Sequence, residues 1–127
     1  MSQFLTQLCI EAEDHTDDGM WIVQKPFVYQ SDAAGKVLTV PVGYKTDLNS
    51  NPLLDKFAKL GGRASVEAAV QHDHLYQTHE VDRATADAVF LEACLLTGDG
   101  WWLAHKNWIG VRLFGGQHWG PDPESIT

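Results

Sequence analysis

Residues 66–94, VEAAVQHDHLYQTHEVDRATADAVFLEAC, decide how the rest of the chain is read. Two helical patterns meet here at a short polar turn, residues 78–81. The first, over about residues 64–77, places Val66, Ala69, Val70 and Asp73 on one face, at i, i+3, i+4 and i+7. His72 lies beside that face with Ala68, Leu75 and Tyr76. The second runs from Arg83 to Thr97, with Asp82 as its cap and Gly98 as its stop. On it, Asp87 shares a face with Ala84, Phe90, Leu91 and Cys94. A carboxylate on the apolar side of a helix needs a partner, because burying it alone costs several kcal/mol.

Working outward toward the start of the chain, the pattern changes from helical to extended. Residues 4–11 alternate loosely, and residues 20–30 (MWIVQKPFVYQ) and 36–44 (KVLTVPVGY) are rich in β-branched and aromatic residues. The polar stretches 12–19 and 31–35 are the turns between them. Pro26 argues for an edge position or a bulge. From Asp47 to Pro52 a strand gives way to a helix, with Asn51 as cap and Pro52 at the first helical position. That helix covers residues 53–60 and stops at Gly61 and Gly62. Beyond Gly98, Asp99 caps a last helix, residues 100–114, which carries Trp101, Trp102 and Trp108 and ends at Gly115 and Gly116. The fold class expected is α+β: an N-terminal antiparallel meander of about three strands, followed by about four helices. Residues 1–127 read as one domain, with residues 1–46 mainly strands, 47–116 the helical part and 117–127 an irregular tail.

Composition narrows the classes of function. The chain has 127 residues, is 44% hydrophobic and 20% charged, and suits an ordinary globular protein. Its net charge of −8 and the lack of a basic stripe argue against nucleic acid as a partner. No apolar run approaches the roughly 18 residues needed to cross a membrane. The start, MSQFLTQLCIEAED, lacks the basic and apolar regions of a signal peptide. Cys9 and Cys94 have no framework spacing, and Cys94, on an apolar helix face, reads as a buried thiol.

The chemistry sits in the helix pair. His72 is the natural partner for Asp87: a carboxylate that accepts one ring N–H fixes the tautomer and leaves the other nitrogen as a base. Tyr76, one turn beyond His72, is placed to donate its hydroxyl to the same carboxylate. Asp73 points about 100° away from His72 around the helix and is free for another partner, a hard cation being the simplest.

His72-Asp73-His74-Leu75-Tyr76 resembles the HDxxY active-site helix of phospholipase A2 enzymes, and Asp87 falls where their second helix carries an aspartate. The resemblance implies that His72 activates water, that Asp87 and Tyr76 orient it, and that Asp73 binds Ca²⁺. The ion would polarise an ester carbonyl. Secreted phospholipases are rich in disulfides and carry a glycine-rich calcium loop. In this chain only residues 43–50 or Gly61 and Gly62 stand in for that loop.

A second resemblance spans more. VPVGYKTDLNS at residues 40–50, HDHLY at 72–76, RATADAVFLEA at 83–93 and VRLFGG at 111–116 are together similar to a family of small phage and prophage proteins of unassigned function. This implies a phage or prophage origin, synthesis in the host cytoplasm and association with virion or tail proteins.

Each functional reading has a bland counterpart. The His72–Asp73–Asp87 group is either a catalytic or metal site or a polar network that locks two helices together. Asp47 is either a further metal ligand or a turn residue. His74 and His79 are expected on the surface, Trp101, Trp102 and Trp108 in the core, and His105 and His118 in structural roles. Arg83 is one turn before Asp87 and suits a plain i, i+4 ion pair. Three functions remain open. The first is a metal-assisted ester hydrolase acting on lipid or envelope material. The second is a Zn²⁺-dependent cell-wall peptide hydrolase using His72, Asp73 and Asp47, His74 or His79. The third is a non-enzymatic virion component.

Overall fold

The structure, a computed structural model, describes residues 1–12, 20–47 and 65–120, with only the backbone of Asp47, Gln117 and His118. The expected class is the observed one: antiparallel strands come first and helices follow. The strands are β1 (Gln3–Phe4), β2 (Ile10–Ala12), β3 (Met20–Val23), β4 (Phe27–Ser31), β5 (Lys36–Val40) and β6 (Lys45–Asp47). The helices are α1 (Val66–Thr78), α2 (Arg83–Leu96), α3 (Trp101–Phe114) and the single turn α4 (Gly116–Trp119).

Among the described residues there are thus six strands where three were expected. The first two expected strands are each interrupted, the third ends at Val40, β6 lies beyond its expected end, and the segments fall into two sheets, ordered β1-β4-β5 and β2-β3-β6. The meander itself survives, since the middle strand is central in both sheets. Pro26 separates β3 from β4 and Pro41 ends β5, and neither can donate to a ladder. Pro26 therefore marks a break in the central strand and not an edge. The Thr6 hydroxyl stands in for the interrupted ladder, donating to the Pro26 carbonyl (3.0 Å) and accepting from the Val28 N–H (2.9 Å). Beyond Pro41 the chain turns at Gly43, whose φ of +90° suits a residue without Cβ. Tyr44 then returns to the ladder by accepting from the Val23 N–H.

Helices α1 and α2 begin and end within two residues of their expected bounds. Ser65 caps α1 by accepting from the Ala68 N–H, and Asp82 caps α2 by accepting from the Thr85 N–H at 2.7 Å. His79 closes α1 in the left-handed conformation, its N–H bonded to the Leu75 carbonyl. At α3 the expected cap is wrong: Gly100, not Asp99, holds the N-cap position, and no side chain bonds there. Residues 117–119, expected to be irregular, form the last part of α4. The expected helix at 53–60, with Asn51, Pro52, Gly61 and Gly62, lies outside the described residues, as does loop segment 13–19.

Helix α1 lies at the centre of the described part. Val70 packs with Val23, Phe27 and Val40 of the sheets, while Leu75 and Tyr76 join Phe90, Ala93 and Cys94 of α2 and Val111 of α3. Val66, expected on the apolar face, is largely exposed instead. Burial of a leucine such as Leu75 contributes about 2–3 kcal/mol. The sheet is tied to α2 by Glu92, whose carboxylate accepts from the Tyr29 hydroxyl (2.6 Å), the Ser31 hydroxyl (2.8 Å) and the Ala33 N–H (3.0 Å). No helix among the described residues is long and apolar enough to cross a membrane.

Candidate active site

Helices α1, α2 and α3 meet at Asp87, whose side chain is wholly buried. Its Oδ1 lies 2.8 Å from His72 Nε2 and accepts the Tyr76 hydroxyl at 2.6 Å. Its Oδ2 accepts Nη1 of Arg112 at 2.8 Å, with Arg83 Nε more distant at 3.9 Å. Burial works to raise the Asp87 pKa, but the hydrogen bonds from His72, Tyr76 and Arg112 outweigh it and hold the carboxyl below the usual range. The group is therefore ionised near neutral pH and can only accept. Facing an acceptor, His72 presents its Nε2 proton to Asp87, and Nδ1 is the other nitrogen of the ring. The ring packs between Tyr76 (centroids 4.2 Å apart) and Phe90 (4.9 Å) and keeps 4% of its surface exposed.

The three residues expected to act together, His72, Tyr76 and Asp87, are thus gathered as expected. Arg83 is not the simple partner of Asp87. Its short bonds run to the Tyr76 hydroxyl (3.2 Å) and to the carbonyls of Val111 (2.8 Å) and Arg112 (2.9 Å), which tie down the end of α3. Tyr76 is held from a further side by Gly115. A Cβ there would collide with the Val111 carbonyl and lie 2.6 Å from the Tyr76 hydroxyl, so only glycine lets α3 end this close. Burial and the bond to Asp87 push the Tyr76 pKa up, so it stays a donor.

Asp73 points elsewhere, as its position on the helix requires. Its Oδ2 accepts the Tyr44 hydroxyl at 2.8 Å and the Thr46 hydroxyl at 3.1 Å. It is thus engaged by oxygen donors from the strand region and is not free. Burial and the charge of Asp73 raise the Tyr44 pKa. Asp47 follows on β6, paired with Met20, and its side chain lies outside the described residues. No group of three or more His, Cys, Asp or Glu side chains with metal-ligand placement occurs among the described residues.

His74 is a correction. Expected in solvent, it is 8% exposed, edge-on to Tyr44, and burial lowers its pKa. His79 lies flat on Trp119, with ring centroids 3.8 Å apart, and its Nε2 donates to the Trp119 carbonyl at 2.7 Å. Trp119 in turn meets Tyr76 edge-on. Trp108 packs partly buried against the core, but Trp101 and Trp102 are exposed, contrary to expectation. His105 stacks on Trp101, and the His118 side chain lies outside the described residues. Cys94 is buried as expected, and burial raises its thiol pKa.

Sequence reasoning missed Arg112, Tyr44 and Thr46. A signal for Arg112 was present: the chain has three arginines, and a buried carboxylate calls for a cationic partner. No such signal marks Tyr44 or Thr46, because their role depends on where β6 lies against α1.

No curated protein and no solved structure matches the chain. A family of proteins of unknown function matches over residues 21–111, which include His72, Asp73, Tyr76 and Asp87. The chain belongs to that family, described as "Protein of unknown function (DUF1353)".

Proposed function

We propose that this chain is a small hydrolase in which His72 acts as general base and Asp87 orients it. The observation that carries this reading is the 2.8 Å contact between His72 Nε2 and the buried Asp87 carboxylate, which takes up one ring nitrogen and leaves Nδ1 as the one proposed to act as base. In such a site Nδ1 takes a proton from water as the water attacks a carbonyl carbon, and later returns it to the leaving group. Tyr76 and Arg112 also donate to Asp87, so the carboxylate that orients the ring is itself held in place before substrate arrives. The substrate class follows the likeness to phospholipase A2: an ester of lipid or envelope material, in a phage or prophage setting with virion or tail proteins as partners.

A divalent cation belongs to this reading at Asp73. Asp73 Oδ2 is taken up by the Tyr44 and Thr46 hydroxyls, so a hard ion such as Ca²⁺ would bind the carboxylate by displacing those donors. Asp47 is the further carboxylate proposed for it. When bound, such an ion would polarise the ester carbonyl. Zn²⁺, the alternative, needs nitrogen or sulfur ligands around it, and a zinc-dependent peptide hydrolase draws less support from this donor set.

The test is hydrolysis of a fluorogenic phospholipid and of a simple aryl ester, with added Ca²⁺ and with chelator. His72→Gln should lower the rate about 100-fold or more while the far-UV circular dichroism is kept. A His72→Gln variant as fast as wild type, or a wild type inert on every ester, refutes the reading. The complete burial of Asp87 and its bond to Arg112 favour a second reading, a non-enzymatic virion component whose polar cluster locks three helices. Under that reading Asp87 substitutions lower stability and His72→Gln has no catalytic consequence.

A further inference from the structure

Helix α3 carries large apolar side chains on the side opposite its buried one. The buried side is Ala104, Asn107, Gly110 and Val111. On the other, Trp102 is 82% exposed, Leu113 69% and Ile109 50%, and Trp101 at the rim is 57% exposed. At 100° per residue, Trp102, Lys106, Ile109 and Leu113 share an arc of about 60° facing away from the core. Their side chains border an open apolar groove of about 750 Å³. A contiguous exposed apolar patch rimmed by polar residues marks an interaction site.

We propose that α3 is a membrane-surface helix, and that the chain docks this outward face on a phospholipid bilayer. Three observations favour lipid. First, in a chain of net charge −8, α3 contains no acidic residue. Its cations are Lys106, on the outward face, and Arg112, which turns inward to Asp87. Lys106 thus meets lipid phosphates without a neighbouring carboxylate on its own helix, and its long stem lets the ammonium reach the headgroups while the methylenes stay among Trp102 and Ile109. Second, the face combines tryptophan, aliphatic side chains and one lysine, the composition of interfacial helices. At 14 residues, α3 lies on a bilayer and does not span it. Third, a second copy fits the face poorly. A stable protein interface takes roughly 800 Å² from some 20–30 residues on each side. This face is one side of a helix about 21 Å long, and two chains of −8 repel one another.

The proposal stands apart from the hydrolase reading, and its test needs no turnover. Wild type and His72→Gln are each mixed with phosphatidylcholine vesicles and sedimented. Tryptophan emission is followed in parallel with vesicles of brominated phosphatidylcholine, which quenches only indoles that enter the bilayer. Both proteins should sediment with the vesicles and be quenched. Trp102→Ala with Leu113→Ala, both at exposed positions and checked for an unchanged melting curve, should weaken binding at least tenfold. With vesicles that also contain anionic phosphatidylserine, a single Lys106→Glu change should weaken binding about fivefold. Absence of sedimentation and quenching overturns the proposal. So does a double variant that binds like wild type, or a dimer in sedimentation velocity that the same double variant dissociates.

Discussion

Replacing Asp87 by Asn tests the centre of the structure with almost no change in shape. The carboxylate is wholly buried and accepts from His72 (2.8 Å), Tyr76 (2.6 Å) and Arg112 (2.8 Å). An amide keeps one acceptor and adds a donor. With its oxygen toward His72 and Tyr76, its NH₂ faces the Arg112 guanidinium, donor to donor. Turned over, it satisfies Arg112, but His72 must then accept at Nε2 and carry its proton on Nδ1. Either way the negative charge is gone. Hydrogen bonds to a charged group contribute about 1.5–3 kcal/mol each, and breaking a buried ion pair costs about 3–5 kcal/mol. The Arg112 side chain is 35% exposed and recovers part of its hydration, which favours the low end. The expected loss is about 3 kcal/mol, a large share of the roughly 5–15 kcal/mol typical of a domain. Urea denaturation should show the midpoint falling by about 1.5 M for a slope near 2 kcal/mol/M. A loss below about 1 kcal/mol would refute the idea that Asp87 holds the three helices together. The second orientation adds a signature: ring-nitrogen NMR shifts of His72 should report the proton moving from Nε2 to Nδ1.

The same group predicts a pH dependence. Because its folded pKa is depressed, Asp87 contributes stability in full above its unfolded value of about 4 and loses it as pH falls through the folded pKa. The stability gap between wild type and Asp87→Asn should therefore be constant from about pH 5 to 7 and narrow in stronger acid; a gap that widens in acid would contradict the assignment. Gly115→Ala should displace the Tyr76 hydroxyl from Asp87 and lower stability by about 1–3 kcal/mol, measurable by thermal melting. Adding Tyr76→Phe to Gly115→Ala should cost less than the sum of the two single changes, because the colliding hydroxyl is gone. Strict additivity would show that the contact is not the cause.

The parts of the fold legible in the sequence were those set by local chemistry. The α1–α2 pair, its turn and the Asp82 cap follow from period and capping, and the meander follows from β-branched runs between polar turns. The His72–Tyr76–Asp87 group was legible because charged residues on an apolar face must be paired, and only a few partners lay within reach. What was hidden depended on three-dimensional placement. The prolines announced breaks, but which segment joins which of the two sheets depends on pairing between residues distant in sequence. His74 read as solvated because Tyr44, which covers it, belongs to a distant strand region. Trp101 and Trp102 read as core because large aromatic side chains usually are, and periodicity alone does not say which side of α3 faces inward.

The broken meander gives α1 a second task. Gln71 donates to the Phe27 carbonyl on β4, in one sheet. Two residues on, Asp73 is held by Tyr44 and Thr46, at and just before β6, in the other sheet. The two sheets share no continuous ladder across Pro26 and Pro41, so backbone pairing alone leaves the angle between them loosely set. Helix α1 is the splint across that fracture, with one polar clamp on each half. The histidine that faces Asp87 sits between the two clamps, so the orientation of His72 and the angle between the sheets are fixed by the same three consecutive residues.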